Sequence, residues 1–390
     1  MRGGGISALF TGKPIYFELT SMQAVSWHAT SLRPQNYPIH RGLRPEDPGD
    51  IPVSPSRKEV VKVLVTLAAP FREPPGSGKP KDAYVRTIEK LAPTNWKLVI
   101  PDQSTEDNLA SLARDVEAVL GTSVTRKVIE SAARLKIIQA TGAGVDKIDL
   151  KAAAEKGIIV CNVRSYSHAV AEHVFALILA LAKHVVGHDT AIRKGVWNPN
   201  PSLILKDKTI GIVGLGSIGS EVAKRARAFE MRIIANKRRP SSEIRASLGL
   251  TFLGSEEDLS YILGESDIIV LSVPLTDKTR GLIGKNELNL MKKEALLINV
   301  SRGDLVEEKA LVWALQAGKI SGAGLDVFGR EPLATDSTLI ALPNVVLTPH
   351  VAGGRPNPDS DEWFTRLGFC IRNIEKAMSG QMPENIVQIP

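Results

Sequence analysis

Apolar runs and amphipathic stretches alternate along most of this chain. A β-branched run over 61–67 reads as a strand, and helix and strand signals then take turns. Helices are expected near 82–91, 106–113, 126–133 and 150–155, with strands over 97–100, 118–120, 135–140 and 158–161. Strands separated by helices imply a parallel sheet with helices on its faces. A second series of the same kind runs from 210 to about 348. Between the two lies 168–184, mostly apolar and without Gly or Pro, which predicts one long helix bridging two domains. A last helix over 361–378 lies beyond the second series and is expected to return to the first domain. No fixed-period repeat is present.

The first 58 residues break this pattern. Up to Pro45 the only acidic residue is Glu18, against Arg2, Lys13, Arg33, Arg41 and Arg44, and Pro45, Pro48, Pro52 and Pro55 follow. Basic, acid-poor and hydroxyl-containing, this segment predicts an organelle transit peptide (chloroplast or mitochondrion) ahead of a linker; a disordered extension of a cytoplasmic protein is the alternative. Composition narrows the partners. The net charge is +7 over 390 residues, and 1–58 carry seven Lys or Arg against four Asp or Glu. The folded part is therefore only mildly basic, which argues against nucleic acid and suits small anions. The longest apolar stretch, 174–182, is too short to span a bilayer, so no membrane is expected as partner. Cys161 and Cys370 make no disulfide framework and point to a reducing compartment, where they read as buried small hydrophobes.

Residues 209–220 read TIGIVGLGSIGS: a buried strand, a glycine-rich turn, then a helix expected over 221–229 and a further strand over 231–235. Gly214 permits a tight turn, Gly216 lets the backbone approach a pyrophosphate, and Gly219 lets helix pack on strand. With Ser217 and Ile218 they form a dinucleotide site in which phosphates rest on a helix N-terminus. The strand after it ends in Asn236-Lys237-Arg238-Arg239, where an acidic residue would hold a ribose 2′-hydroxyl. Lys237, Arg238 and Arg239 instead suit a 2′-phosphate, so NADP is expected over NAD, with NAD possible.

Three further residues follow strand-like runs, where open α/β sheets place ligand groups. Arg302 follows the run over 295–300, Glu331 lies in LDVFGREP and His350 in LTPHVAGG. Together they suit reduction of a 2-keto acid. Arg302 holds the substrate carboxylate and polarises the keto oxygen, His350 donates a proton to that oxygen, and Glu331 orients the imidazole and favours its protonated form. Taken singly, each could equally be a surface ion pair, a loop carboxylate or a cap. His173 and His184, flanking the apolar helix, read as packing or capping residues.

These motifs, with VPLTDKTRGLI, INVSRG, GAGVDKIDL and AVAEH, make the chain from about Val60 to Pro390 resemble the D-isomer-specific 2-hydroxyacid dehydrogenase family. The resemblance implies an α/β protein of two Rossmann- or flavodoxin-like, doubly wound parallel-sheet domains with a cleft between them. It divides the chain into an extension (1–58), a substrate domain (59–165 plus 355–390) and a dinucleotide-binding domain (166–354). The family's catalytic residues fall on Arg302, Glu331 and His350. Its substrate-carboxylate loop falls on Ala143, Gly144 and Val145, through backbone N–H groups. Asp326 matches the residue that meets the nicotinamide carboxamide, and Val273, Pro274, Val300, Ser301 and Gly353 match segments that line the cofactor. A homodimer through the cofactor domains, around 168–184, is implied, and no metal centre is.

The resemblance carries NADP-dependent reduction of hydroxypyruvate or glyoxylate as the leading expectation. A dehydrogenase of a bulkier acid such as phosphoglycerate and a catalytically silent, dinucleotide-sensing corepressor-like protein are the alternatives. The loop over 71–81 is expected to line the substrate pocket. Lys237 departs from the Asp that many members carry, and Glu331 departs from the Gln of the related formate dehydrogenases. Members with an appended regulatory domain extend further at the C-terminus, so serine-feedback regulation is not expected of a chain ending at Pro390.

Overall fold

The computed structural model describes residues 60–66, 83–353 and 361–387. The extension over 1–58 and the pocket loop over 71–81 lie outside the described residues. Two parallel sheets organise the chain. The first holds β1 (Val61–Thr66), β2 (Trp96–Val99), β3 (Ala118–Gly121), β4 (Ile137–Gln139) and β5 (Ile159–Cys161), in the order β2-β1-β3-β4-β5. All its pairings are parallel, as crossover helices require. Helices α1 (Ala83–Leu91), α2 (Glu106–Leu112), α3 (Arg126–Ser131) and α4 (Leu150–Glu155) make those crossovers. The side chains of β3, β4 and most of β1 are buried, which explains why these strands read as continuous apolar runs rather than alternating ones.

The expected unbroken helix over 168–184 is two helices. After α5 (Ser167–Ala182) the chain bends by 58° into α6 (Val185–Arg193). His184 takes a left-handed backbone, φ 53°, at the bend. Apolar periodicity carries no sign of such a break at a non-glycine residue. On α5, Val174, Leu177, Ile178 and Leu181 pack against Ile210, Ile212 and Ile298 of the second sheet. No residue of α6 is buried. Among the described residues no single helix is long and apolar enough to cross a membrane.

The second sheet holds β6 (Thr209–Val213), β7 (Arg232–Asn236), β8 (Phe252–Gly254), β9 (Ile268–Leu271), β10 (Leu296–Asn299), β11 (Gly322–Leu325) and β12 (Val345–Leu347). Its order is β12-β11-β10-β9-β6-β7-β8, again all parallel. Helices α7 (Ser217–Ala228), α8 (Ser242–Leu248), α9 (Leu259–Glu265), α10 (Lys285–Leu290) and α11 (Glu308–Gln316) accompany it. The strand order reverses at β6, which lies between β7 and β9, and that switch point opens a crevice at the carboxyl ends of the strands. Finally α12 (Asp361–Met378) returns to the first sheet, where Trp363, Leu367, Cys370 and Ile374 pack with Val63, Val65, Leu120 and Ile137. Asn373 on this helix donates to Gln139 Oε1 in β4 at 2.9 Å, a buried polar contact that fixes its seat. Cys161 and Cys370 are free and buried, and burial pushes both thiols up, to about 11 and about 12. They are inert hydrophobes at neutral pH.

Candidate active site

The glycine-rich turn leaves β6 at the switch point. Gly214 has φ +96°, and a Cβ there would fall 2.5 Å from Val273 Cγ1 and 2.9 Å from Val273 N, so only glycine fits. Its N–H donates to Asn236 Oδ1 at 2.9 Å, and Ser272 Oγ donates to its carbonyl at 2.6 Å. Helix α7 begins at Ser217, with Gly216 as its cap, and not at 221 as the apolar pattern predicts. The small residues of its first turn hide the helical period. A Cβ on Gly219 would meet Gly214 O at 2.6 Å, the close packing of helix on strand that the motif requires. A Cβ on Gly216 would meet nothing within 4 Å, so this side of the turn faces open space. The N–H groups of Ser217, Ile218 and Gly219 lie in the first helical turn, where no intrahelical acceptor exists. An anion can take them.

Lys237 follows β7 and is half-buried, donating from Nζ to Leu215 O in the turn at 3.1 Å. Arg238 and Arg239 are exposed, and among the described residues neither side chain has a hydrogen-bond or ion-pair partner. Across the crevice, Val273 and Pro274 follow β9, and Ser301 Oγ donates to Val273 O, tying that segment to Val300 and Ser301 after β10. Glycine turn, cations and these two segments thus surround one crevice.

Arg302 caps a short 3₁₀ turn, Gly303–Leu305, after β10. Buried Asn299 braces it, donating from Nδ2 to Arg302 O at 2.9 Å. The guanidinium reaches out to the first sheet, where Nε donates to Asp146 Oδ1 at 2.8 Å and Nη2 lies 2.7 Å from the same oxygen. Asp146 sits in the loop after β4, directly beyond Ala143, Gly144 and Val145. Burial pushes its carboxyl up, but the hydrogen bond and charge of Arg302 outweigh this and hold it below its ordinary value. Among the described residues the N–H groups of Ala143, Gly144 and Val145 have no acceptor, while Ala143 O is anchored by Asn162 Nδ2 at 2.9 Å.

Beyond β12, His350 adopts φ 54° and directs Nδ1 to Glu331 Oε2 at 2.8 Å. The second oxygen, Oε1, accepts from the Phe328 amide at 3.2 Å. Burial raises the Glu331 carboxyl, but the hydrogen bond and charge of His350, with the Phe328 amide and Lys147, bring it below its ordinary value. A carboxylate on Nδ1 fixes the imidazole and leaves Nε2 for exchange with a ligand. The three expected catalytic residues therefore stand at the ends of β10, β11 and β12, on neighbouring strands, with the 143–147 loop opposite.

The resemblance assigns Asp326 to the nicotinamide carboxamide; here it is fully buried and its carboxylate serves the protein. Oδ1 accepts from Thr348 Oγ1 at 2.6 Å and Val351 N at 2.9 Å, and Oδ2 accepts from Ala352 N at 2.8 Å. His173 of α5 completes the cluster, with Nε2 2.9 Å from Thr348 Oγ1. Asp326 thus holds the loop of His350. Gly353 ends that loop, its carbonyl accepting from Arg366 Nη2 of α12 at 3.2 Å.

Sequence reasoning missed Asn236, Asn299 and Asp146. The two asparagines share a signal, a polar residue ending a buried apolar strand. Asp146 was marked by a charge directly after three small or apolar loop residues.

Comparison with known proteins identifies the family and the fold. Residues 175–352 match the profile of the D-isomer specific 2-hydroxyacid dehydrogenase NAD binding domain. The glyoxylate reductase of Korarchaeum cryptofilum is 37% identical over 335 residues, 84% of this chain and 95% of its own. The D-3-phosphoglycerate dehydrogenase of Methanocaldococcus jannaschii is 40% identical over 293 residues, but this chain spans only 54% of its length. Among solved structures, the NADPH-dependent glyoxylate/hydroxypyruvate reductase of Sinorhizobium meliloti, in complex with NADP and malonate, superposes with TM-score 0.70 at 28% identity. That match covers 84% of this chain and 97% of the other.

Proposed function

Because the chain belongs to the D-isomer-specific 2-hydroxyacid dehydrogenase family, we propose that it reduces small 2-keto acids to D-2-hydroxy acids with NADPH, glyoxylate and hydroxypyruvate first among them. The observation that carries this reading is the 2.8 Å pair of His350 Nδ1 and Glu331 Oε2 beside the switch-point crevice. Arg302 and the amides of Ala143, Gly144 and Val145 bind the substrate carboxylate together. His350 Nε2 gives its proton to the keto oxygen, and Glu331 stabilises the charge on the imidazole until then. A nicotinamide dinucleotide bound in the crevice supplies the hydride. Gly214, Gly216, Ser217, Ile218 and Gly219 would hold its pyrophosphate, with Val273, Pro274, Val300, Ser301 and Gly353 lining the site. Arg238 and Arg239, with Lys237 beside them, favour a 2′-phosphate, since no carboxylate ends β7.

A spectrophotometric panel of keto acids against NADPH and NADH tests substrate class and cofactor together. His350→Ala should abolish turnover and leave NADPH affinity nearly intact; unchanged turnover would refute the mechanism. A phosphorylated hydroxy acid is the second reading, favoured by the resemblance to the M. jannaschii enzyme, and belongs in the same panel.

The exposed apolar side chains Val185, Val186 and Ile192 of α6, followed by Val196, Trp197 and Ile204, support a homodimer formed through this face. Light scattering on the intact protein would test it, a monomer at micromolar concentration being the contrary result. The composition of residues 1–58 supports import into an organelle, and a fusion of that segment to a fluorescent reporter tests it.

A further inference from the structure

The guanidinium that the proposed reaction needs for substrate is already engaged. Arg302 places Nε and Nη2 on one oxygen of Asp146, at 2.8 and 2.7 Å, and Nη1 on Ser301 O at 2.7 Å. A Cβ built on Gly144 would collide with Nη2, so the guanidinium lies close against the loop whose amides face the same ligand. The ion pair with Asp146 and the close approach to Gly144, both involving Nη2, bring Arg302 onto the 143–146 loop. The group it holds is a carboxylate, the chemistry expected of its substrate. The partners are 156 residues apart in sequence, one following β10 and the other following β4, so the pair spans the crevice.

We infer that Asp146 is an internal stand-in for the substrate carboxylate, and so sets how tightly the enzyme binds its 2-keto acid. The inference rests on the reading that Arg302 binds that carboxylate. Asp146 offers the guanidinium fork a single oxygen, whereas a free monocarboxylate offers both and gains the amides of Ala143, Gly144 and Val145 as well. Exchange keeps one carboxylate on Arg302, and the displaced Asp146 side chain, partly exposed, is left to water. The cost is that every substrate molecule must displace a competitor present at high effective concentration. Asp146 lies on the substrate loop and does not touch the reacting atoms; it is a positioning residue that governs affinity.

The experiment is Asp146→Asn, which keeps shape and removes charge, with Asp146→Ser as a second variant and thermal melts as the folding control. Glyoxylate KM should fall about threefold to tenfold with kcat unchanged, and the inhibition constant of oxamate should fall by the same factor. NADPH affinity should not move. A KM that is unchanged or raised, or a kcat that falls, would mean that Asp146 orients Arg302 rather than competing for it, and would overturn the inference. Arg302→Ala separates the two levels. If it turns over like the wild type, the reading of the site fails. If it is inactive while Asp146→Asn leaves KM unmoved, only the stand-in fails.

Discussion

His350 Nδ1 and Glu331 Oε2 stand 2.8 Å apart although 19 residues separate them, because each follows one of two adjacent parallel strands. Parallel pairing delivers consecutive strand ends to the same edge of a sheet, which turns a sequence of loops into one constellation. Glu331 is itself oriented by the Phe328 amide, so the imidazole is aimed by a carboxylate that is itself aimed.

Removing that charge separates orientation from electrostatics. Glu331→Gln keeps an acceptor for Nδ1 but loses the anion that favours the imidazolium, and kcat should fall about 10²-fold with NADPH affinity unchanged. The pair also carries a stability signature. The Glu331 carboxyl is lower in the fold than its ordinary value of about 4.3, so its contribution is fully present above that value. It is lost as pH falls through the lowered one. Denaturant unfolding of wild type and variant should differ at pH 6 and converge as pH falls through the lowered Glu331 value. A gap that widens on acidification would contradict the assignment.

Cofactor choice is predicted to lie in two exposed side chains. Arg238 and Arg239 have no protein partner among the described residues, so replacing them costs the fold little. Lys237 is different, since its Nζ bonds to Leu215 O and its loss would disturb the turn itself. The double variant Arg238→Ala/Arg239→Ala should weaken NADPH binding roughly tenfold to a hundredfold, with NADH changed by less than about threefold. Fluorescence titration of both dinucleotides measures this. Equal losses for the two would move the 2′-phosphate contact elsewhere.

What was legible in the sequence was local. The strand, turn and helix around Gly214 could be read because Gly214 and Gly219 answer to atoms within a few residues or beside the neighbouring strand. Arg302, Glu331 and His350 could be placed because each follows an apolar run. Long-range geometry could not be read. Nothing near Asp146 says that Arg302 will reach it from the second sheet, and nothing in the apolar period of 168–184 marks the left-handed turn at His184. Asp326 shows a third kind of limit. Its motif indicates a functional position, but only the packed structure shows its carboxylate spent on Thr348, Val351 and Ala352.

That expenditure leads to a prediction about catalysis at one remove. Asp326→Asn retains one acceptor oxygen and turns the other position into an NH₂ group. One of the Val351 and Ala352 amides must then face a donor where it had an acceptor. In a site with no solvent access the loss is not made up by water, and stability should fall by about 1–3 kcal/mol. Because these amides directly follow His350, the imidazole should also lose its fixed distance to Glu331, and kcat should drop with little change in glyoxylate KM. Thr348→Val removes one donor to the same carboxylate and the hydroxyl partner of His173, whose Nε2 still lies 3.5 Å from Asp326 Oδ1, while leaving both amide bonds in place. It should therefore cost stability but spare most of kcat. Parallel urea unfolding and steady-state kinetics on the two variants would separate these outcomes, and equal loss of kcat in both would show that the cluster acts as one unit rather than through the amides beside His350.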